Sequence, residues 1–294
     1  MQPKRLSVLG VGLLGGSLGL AAKARVSGCR VVGYAHRPET LDQALSLGAI
    51  DEGYDDPVRA VRDADLVVLC TPVGMLGDLL ARVAPALAPD AVATDVGSTK
   101  ASVVRVAEER CPTVRFVGSH PMAGSEKRGV AFARADLFDG AVCVTTPTAR
   151  TEPVVLAGVE AFWRHLGMRV ERLSPDEHDR LICDVSHLPH AVAAALVTAQ
   201  QPGAERLAGR GFLDATRIAG GDGGLWRDIL LDNRSNLTAS IGRLRKSLDE
   251  LESLLDQDRA EELREWLDRA ADRRRAAQPG RNEGGGENGR NDPS

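Results

Sequence analysis

The segment Val117-Gly118-Ser119-His120-Pro121-Met122-Ala123-Gly124-Ser125-Glu126 gathers a histidine, two small hydroxyls and a carboxylate among glycines, alanine and proline. A histidine can take up or release a proton near neutral pH, and a hydroxyl beside it can orient the exchange. Glycine lets the backbone approach a ligand closely, and proline fixes the local path. The preceding run Arg115-Phe116-Val117 reads as a strand. The polar groups therefore stand on a stiff loop at a strand end, where α/β proteins build their sites. The plainer alternative is a tight turn with a hydrogen-bonded histidine.

Two other stretches could contribute chemistry. Asp95-Val96-Gly97-Ser98-Thr99-Lys100 is a polar, glycine-bearing segment that follows the apolar run Ala91-Val92-Ala93-Thr94. Ser186-His187-Leu188-Pro189-His190 carries two histidines three apart, which can share one helix face. Such a pair could begin a metal site, but no third or fourth ligand stands at metal spacing, so no metal is expected. Its proline predicts a kink that turns side chains toward a cleft. Asp176-Glu177-His178-Asp179 opens the same region, and Asp214-Ala215-Thr216-Arg217 and Trp226-Arg227-Asp228 follow later.

The elements that must position these groups begin at the N-terminus. Leu6-Ser7-Val8-Leu9 is a short apolar strand, Gly10-Val11-Gly12-Leu13-Leu14-Gly15 follows at once, and a helix-compatible run reaches Ala24. Strand, glycine turn and helix in this order form the dinucleotide-binding fingerprint. The glycines allow the turn, the approach of a pyrophosphate and the helix–strand packing, and the helix N-terminus offers N–H donors to phosphate. Lys4-Arg5 before the apolar run imitates a secretory signal. The pattern, however, continues unbroken into a second strand, Arg30-Val31-Val32-Gly33-Tyr34. The fingerprint places an acid for the ribose 2′-hydroxyl roughly 20 residues on. Here that place holds Ala35, followed by His36 and Arg37. A missing acid and a following basic pair favour a 2′-phosphate, hence NADP over NAD; otherwise His36 and Arg37 are exposed loop residues.

Asp65-Leu66-Val67-Val68-Leu69-Cys70 is nearly continuous in apolar character, as a buried parallel strand requires, and Thr71-Pro72-Val73 ends it where a cofactor should lie. Helical spacing at Leu76, Leu79, Leu80, Val83 and Leu87, and a further strand over Ala141 to Thr146, continue the alternation. Strand and helix at this rhythm predict a Rossmann-like, mostly parallel α/β sheet over residues 1–174. Beyond Ser174-Pro175 no convincing strand occurs, which predicts an all-α domain over 175–275. In it Leu237, Ile241, Leu244, Leu248 and Leu251 step by four and three, a seam that wants a partner helix. Residues 276–294 are almost devoid of apolar side chains, so a disordered tail is expected.

The bulk composition narrows the function classes. The apolar share of 43% and charged share of 27% are those of a soluble globular chain. A net charge of −4 without a basic block implies no nucleic-acid partner. Five scattered cysteines, never in a CxxC pair, suit a reducing cytoplasm. No run of 18 apolar residues occurs, so no membrane span is expected.

In their order along the chain, these landmarks resemble the prephenate/arogenate dehydrogenase family of tyrosine biosynthesis. The resemblance rests on the Gly10–Gly15 fingerprint, Thr71-Pro72-Val73, Asp95–Lys100, Gly118–Glu126, Ser186–His190, Thr216-Arg217 and Trp226-Arg227-Asp228. It implies a dinucleotide-binding domain followed by a helical domain that forms a homodimer. It also implies oxidative decarboxylation: hydride passes from C4 of a cyclohexadienol to NAD(P), the C4 hydroxyl loses its proton, C1 loses CO2, and the ring becomes aromatic. By match to the family motifs, His120 is the base and Ser98 orients it and the hydroxyl. Arg217 clamps a substrate carboxylate with its fork of donors. His187 and His190 line the substrate pocket, Ser125 stands near the substrate side chain, and Glu126 forms an ion pair that gates access. Gly10, Gly12, Leu13, Leu14, Gly15, Thr71 and Pro72 hold the cofactor, with His36 and Arg37 at its ribose. The alternatives are the arogenate variant, another small hydroxy-acid dehydrogenase, and a non-catalytic NADP sensor. The second usually needs a lysine in the helical domain, and Lys246 is the only lysine after residue 127. The third would not need Ser98, His120 and Arg217 together.

Overall fold

A computed structural model describes residues 1–124 and 127–277. Ser125, Glu126 and residues 278–294 lie outside the described residues, and with them the expectations for a substrate-side hydroxyl, a gating ion pair and a disordered tail.

Eight strands form one sheet: β1 (Arg5–Leu9), β2 (Arg30–Tyr34), β3 (Glu52–Tyr54), β4 (Leu66–Leu69), β5 (Val92–Asp95), β6 (Arg115–Pro121), β7 (Val142–Thr146) and β8 (Arg169–Arg172). Their order is β3-β2-β1-β4-β5-β6-β7-β8. Strands β1 to β6 are parallel, β7 runs antiparallel to β6, and β8 is parallel to β7. The order reverses between β1 and β4, and a crevice opens at such a switch point beyond the carboxyl ends of the strands. The N-terminal apolar run that imitates a signal is β1 and the helix α1 (Leu13–Arg25), with Leu6, Val8, Leu9 and Leu18 fully buried.

The helices that follow are α2 (Pro38–Ser46), α3 (Pro57–Ala60), α4 (Val73–Val83), α5 (Ala101–Arg110) and α6 (Pro153–His165). Then come α7 (Pro175–Ile182), α8 (Leu188–Thr198), α9 (Arg210–Thr216), α10 (Gly223–Asp232), α11 (Arg234–Asp256) and α12 (Ala260–Ala276). Two apolar clusters cover the two faces of the sheet. One packs Leu18 and Phe162 with Trp163 against β1 and β7, and the other packs Leu76, Leu80 and Val104 against β4 and β5. Residues Met1–Ser240 form one compact unit and the chain from Ile241 a second, so α7 to α10 belong to the same unit as the sheet.

At Pro189, where a kink is expected, the regular α-helix is interrupted one turn earlier. Cys183–His187 is a π-helical turn, and Pro189 sits in the first turn of α8, where its missing N–H costs nothing. Together 175–198 make a helical run long and apolar enough to cross a membrane by length and composition. In this fold the run contributes His178, Asp179, His187 and His190, all nearly buried, to the first unit.

Candidate active site

The loop from β1 to α1 is shaped by its glycines. Gly10 has φ +115°, and a Cβ there would stand 2.9 Å from the Cys70 backbone; at Gly15 it would stand 2.1 Å from the Gly10 carbonyl oxygen. At Gly12, the N-cap of α1, a Cβ would meet nothing within 4 Å. The first two glycines are required by packing, and the third leaves open room at a helix N-terminus, as a phosphate requires. Gly12, Leu13, Leu14, Thr71, Pro72, Gly97 and Ser98 line a cleft of about 370 Å³, closed on the other side by Ala123, Gly124, Arg128, Gly221, Leu225 and Trp226. The Thr71 hydroxyl is buried there without a partner, an orphaned group that a ligand could satisfy. These residues fit a dinucleotide. Ala35 is buried at the end of β2, and His36 and Arg37 are exposed beyond it.

Strand β6 carries His120 to the same edge of the sheet. Its Nδ1 lies 2.9 Å from Nε2 of His178 on α7, and the two rings meet edge to face with centroids 5.1 Å apart. The partner of His120 Nδ1 is thus His178, while Ser98 lines the cleft. His178 Nδ1 in turn lies 2.8 Å from Asp179 Oδ1. The Asp179 carboxylate also accepts the backbone N–H of Lys100 at 2.7 Å and of Ala101 at 2.9 Å, so α7 caps the N-terminus of α5.

Beneath this lies a second buried pair. Lys100 and Asp95 are completely buried and ion-paired, and Asp95 also accepts from the backbone N–H groups of Gly97 and Ser119. Ser119 Oγ accepts from Thr94 and from the Trp163 indole, so its hydroxyl supports the sheet and does not face a ligand. Burial pushes His120 well below the ordinary histidine range, with smaller contributions from His178, the Lys100 ammonium and His187. A neutral imidazole at pH 7 can act as a base.

His187 and His190 come together around Trp226. The His190 ring stacks on the indole at 3.5 Å between centroids, and His187 meets it edge-on at 6.3 Å. Asn233 donates to His187 Nδ1 at 3.1 Å and to the Asp179 carbonyl at 2.7 Å. The ring proton of His187 therefore sits on Nε2, which is buried without a partner. Burial holds His187 down at about 4, only partly opposed by Asp179, and it also lowers His190. Nε2 of His187 is a neutral, unspent donor that suits a carboxylate or hydroxyl. Arg217 begins a short 3-10 turn after α9, exposed, beside buried Thr216. That turn leads to Gly221, where a Cβ would crowd Trp226 and His190. Among the described residues, no group of three or more His, Cys, Asp or Glu is placed to hold a metal.

Sequence reasoning passed over Lys100, His178, Asp179 and Asn233 as functional residues. The signal that could have found Lys100 was its place just after the β5 strand end; His178, Asp179 and Asn233, on or at the end of helices, carried none.

Residues 18–172 match the family described as prephenate dehydrogenase, nucleotide-binding domain, and residues 174–269 match prephenate dehydrogenase, dimerization domain. The chain is 36% identical over 273 residues to the prephenate dehydrogenase of Bacillus subtilis, covering 90% of this chain and 74% of that protein. It is 34% identical to the cyclohexadienyl dehydrogenase of Zymomonas mobilis, covering 86% of this chain and 88% of that one. Among solved structures it resembles the prephenate dehydrogenase of Aquifex aeolicus in complex with hydroxyphenyl propionate and NAD+, with a TM-score of 0.88, 36% identity and coverage of 94% and 98%. A nucleotide-binding sheet with His120 beside its cleft, followed by a matched dimerization region, has one consistent reading: the chain belongs to the prephenate dehydrogenase family.

Proposed function

We propose that this chain catalyses the oxidative decarboxylation of prephenate to 4-hydroxyphenylpyruvate, with NADP preferred over NAD, as a homodimer. The observation that carries the reading is a neutral histidine, His120, at the end of β6, beside a cleft built for a dinucleotide at the β1–β4 switch point.

The cofactor, held by the Gly10–Gly15 loop with Thr71 and Pro72, supplies when bound the acceptor for the hydride that leaves C4. His120 Nε2 takes the proton of the C4 hydroxyl as the C–O bond becomes a carbonyl. The electron pair of the C1–carboxylate bond then enters the ring, CO2 departs, and the aromatic oxygen recovers the proton from His120. A hydroxyl on a carbon losing hydride becomes strongly acidic, so a histidine of depressed basicity suffices. Ser98 lies in the cleft wall, where it can hold the hydroxyl. The His187 Nε2–H and the Arg217 fork bind substrate carboxylates, and the pair His190–Trp226 forms a flat apolar wall for the ring.

For the cofactor, Ala35 removes the carboxylate that would repel a 2′-phosphate, and the exposed Arg37 is free to approach one. Assaying prephenate and arogenate, each with NAD and NADP, tests the reading: kcat/KM should be highest for prephenate with NADP. Ala35→Asp should reverse the cofactor order. Preference for arogenate would replace the substrate and keep the mechanism, and equal cofactor efficiencies before and after the substitution would remove the role of Ala35.

A further inference from the structure

The ring contact of His120 continues through His178 to Asp179, and the direction of every hydrogen bond in that chain is fixed. Asp179 receives three N–H groups, those of Lys100, Ala101 and His178. A carboxylate that accepts from two backbone amides and sits at the positive end of α5 is ionised and has no proton to give. The proton between Asp179 and His178 therefore belongs to His178 Nδ1. A neutral His178 then has a lone pair on Nε2, and the only proton available for the 2.9 Å contact is on His120 Nδ1. His120 is left with its lone pair on Nε2. We propose that Asp179 and His178 are positioning residues that hold His120 in the Nδ1–H tautomer, so that Nε2 is the ring atom that takes the substrate proton.

When His120 Nε2 takes that proton, the imidazolium keeps its hydrogen bond from Nδ1 to His178, and the Asp179 charge stands one ring further back. The positive charge formed in the step is spread over two rings and faces a fixed anion. When the proton leaves again, the same bonds restore the starting tautomer. The charged and titratable groups around the base come from each neighbouring element: His178 and Asp179 from α7, His187 from the π turn, Lys100 paired with Asp95 before α5, and Cys143 from β7. Among these groups of the described residues, His178 bonds the ring and Asp179 supplies the anion behind it.

The inference rests on the proposed reaction, and its first test does not. In [15N]histidine-labelled protein without ligand, the ring nitrogens of His120, assigned by comparison with His120→Asn, should show the pattern of a protonated Nδ1 and bare Nε2. Finding the Nε2–H form would overturn the proposal whatever the activity. If the chain fails to oxidise prephenate but shows the Nδ1–H form, the relay stands and the reaction reading fails.

The second test is kinetic. In Asp179→Asn the amide oxygen keeps the place that accepts from Lys100 and His178 Nδ1, and the anion behind His178 is gone. The kcat should fall by roughly 10²-fold, as the cation formed on His120 loses its support, with KM for prephenate and NADPH affinity within about twofold. Because Asp179 also caps α5, His178→Phe is the companion variant: it leaves that cap, breaks the relay, and should lower kcat with its acid limb moved to lower pH. His178→Gln, whose amide oxygen can accept from His120 Nδ1, should recover part of the rate. If His178→Phe keeps kcat and the acid limb of the wild type, the relay does not serve the reaction.

Discussion

His120 works as a base only while neutral, and its buried position widens the pH range over which it is. Burial, helped by His178, Lys100 and His187, holds it well below 6.5. The acid limb of kcat should therefore lie below pH 6.5, lower than an exposed histidine would give; a limb at or above that value would point to a different titrating group. A second prediction concerns His187, which is neutral in the fold with a value of about 4, against about 6.5 when unfolded. As pH falls the unfolded chain takes the proton first, so stability contributed by neutral His187 is complete above about pH 6.5. It is lost progressively toward pH 4, by up to roughly 3 kcal/mol. Urea unfolding at several pH values should show that slope, and His187→Gln should flatten it. His120 was legible because its motif is local. His178 and Asp179 were not, because their partners are 58 and 79 residues away in the chain, and a lone His-Asp pair on a helix reads as surface.

At the scale of elements, the site depends on how α7, the π turn and α10 meet the N-terminus of α5. Asp179 caps α5 from one side, while Asp232 accepts from Thr99 Oγ1 at 2.5 Å and Ser102 Oγ at 2.7 Å from the other. Asn233 ties the two sides together through Asp179 and His187. Asn233→Ala would remove one of two donors to the Asp179 carbonyl, which keeps the Cys183 N–H, and leave a buried ring nitrogen of His187 unsatisfied, a loss of about 1–3 kcal/mol, and would free the His187 ring to change tautomer. Its urea midpoint should fall and its KM for substrate rise; an unchanged midpoint would show that solvent replaces those bonds. The fingerprint, β2, β4 and β5 were readable from apolar runs and glycines. The reversed direction of β7, the short edge strand β3 and the π turn were not. Strand direction depends on pairing, three residues carry no periodicity, and one extra residue in a helical turn leaves the pattern nearly intact.

For the whole molecule, α11 carries the leucine seam into the second compact unit, and α12 packs no residue into a core of its own. Ile241 is 38% exposed and Leu248 is 51% exposed, an apolar line on a helix that a second copy would cover. Light scattering at micromolar concentration should give twice the chain mass of 31.3 kDa, and a monomer would contradict the proposed homodimer. The seam was legible in the four-and-three spacing of leucines; the site was only half so, since a one-dimensional pattern shows which groups can react and not which groups hold them.

The central claim is that His120 removes a proton while hydride and CO2 leave one prephenate molecule. Single-turnover reaction of prephenate with enzyme already loaded with NADP tests it most directly, by following reduced cofactor and CO2 together in the wild type and in His120→Asn. The account predicts one CO2 for each reduced cofactor, and a chemical step slowed by roughly 10²–10⁴-fold in the variant, with prephenate binding unchanged. A variant that completes the turnover at the wild-type rate, or reduced cofactor formed without CO2, would contradict it.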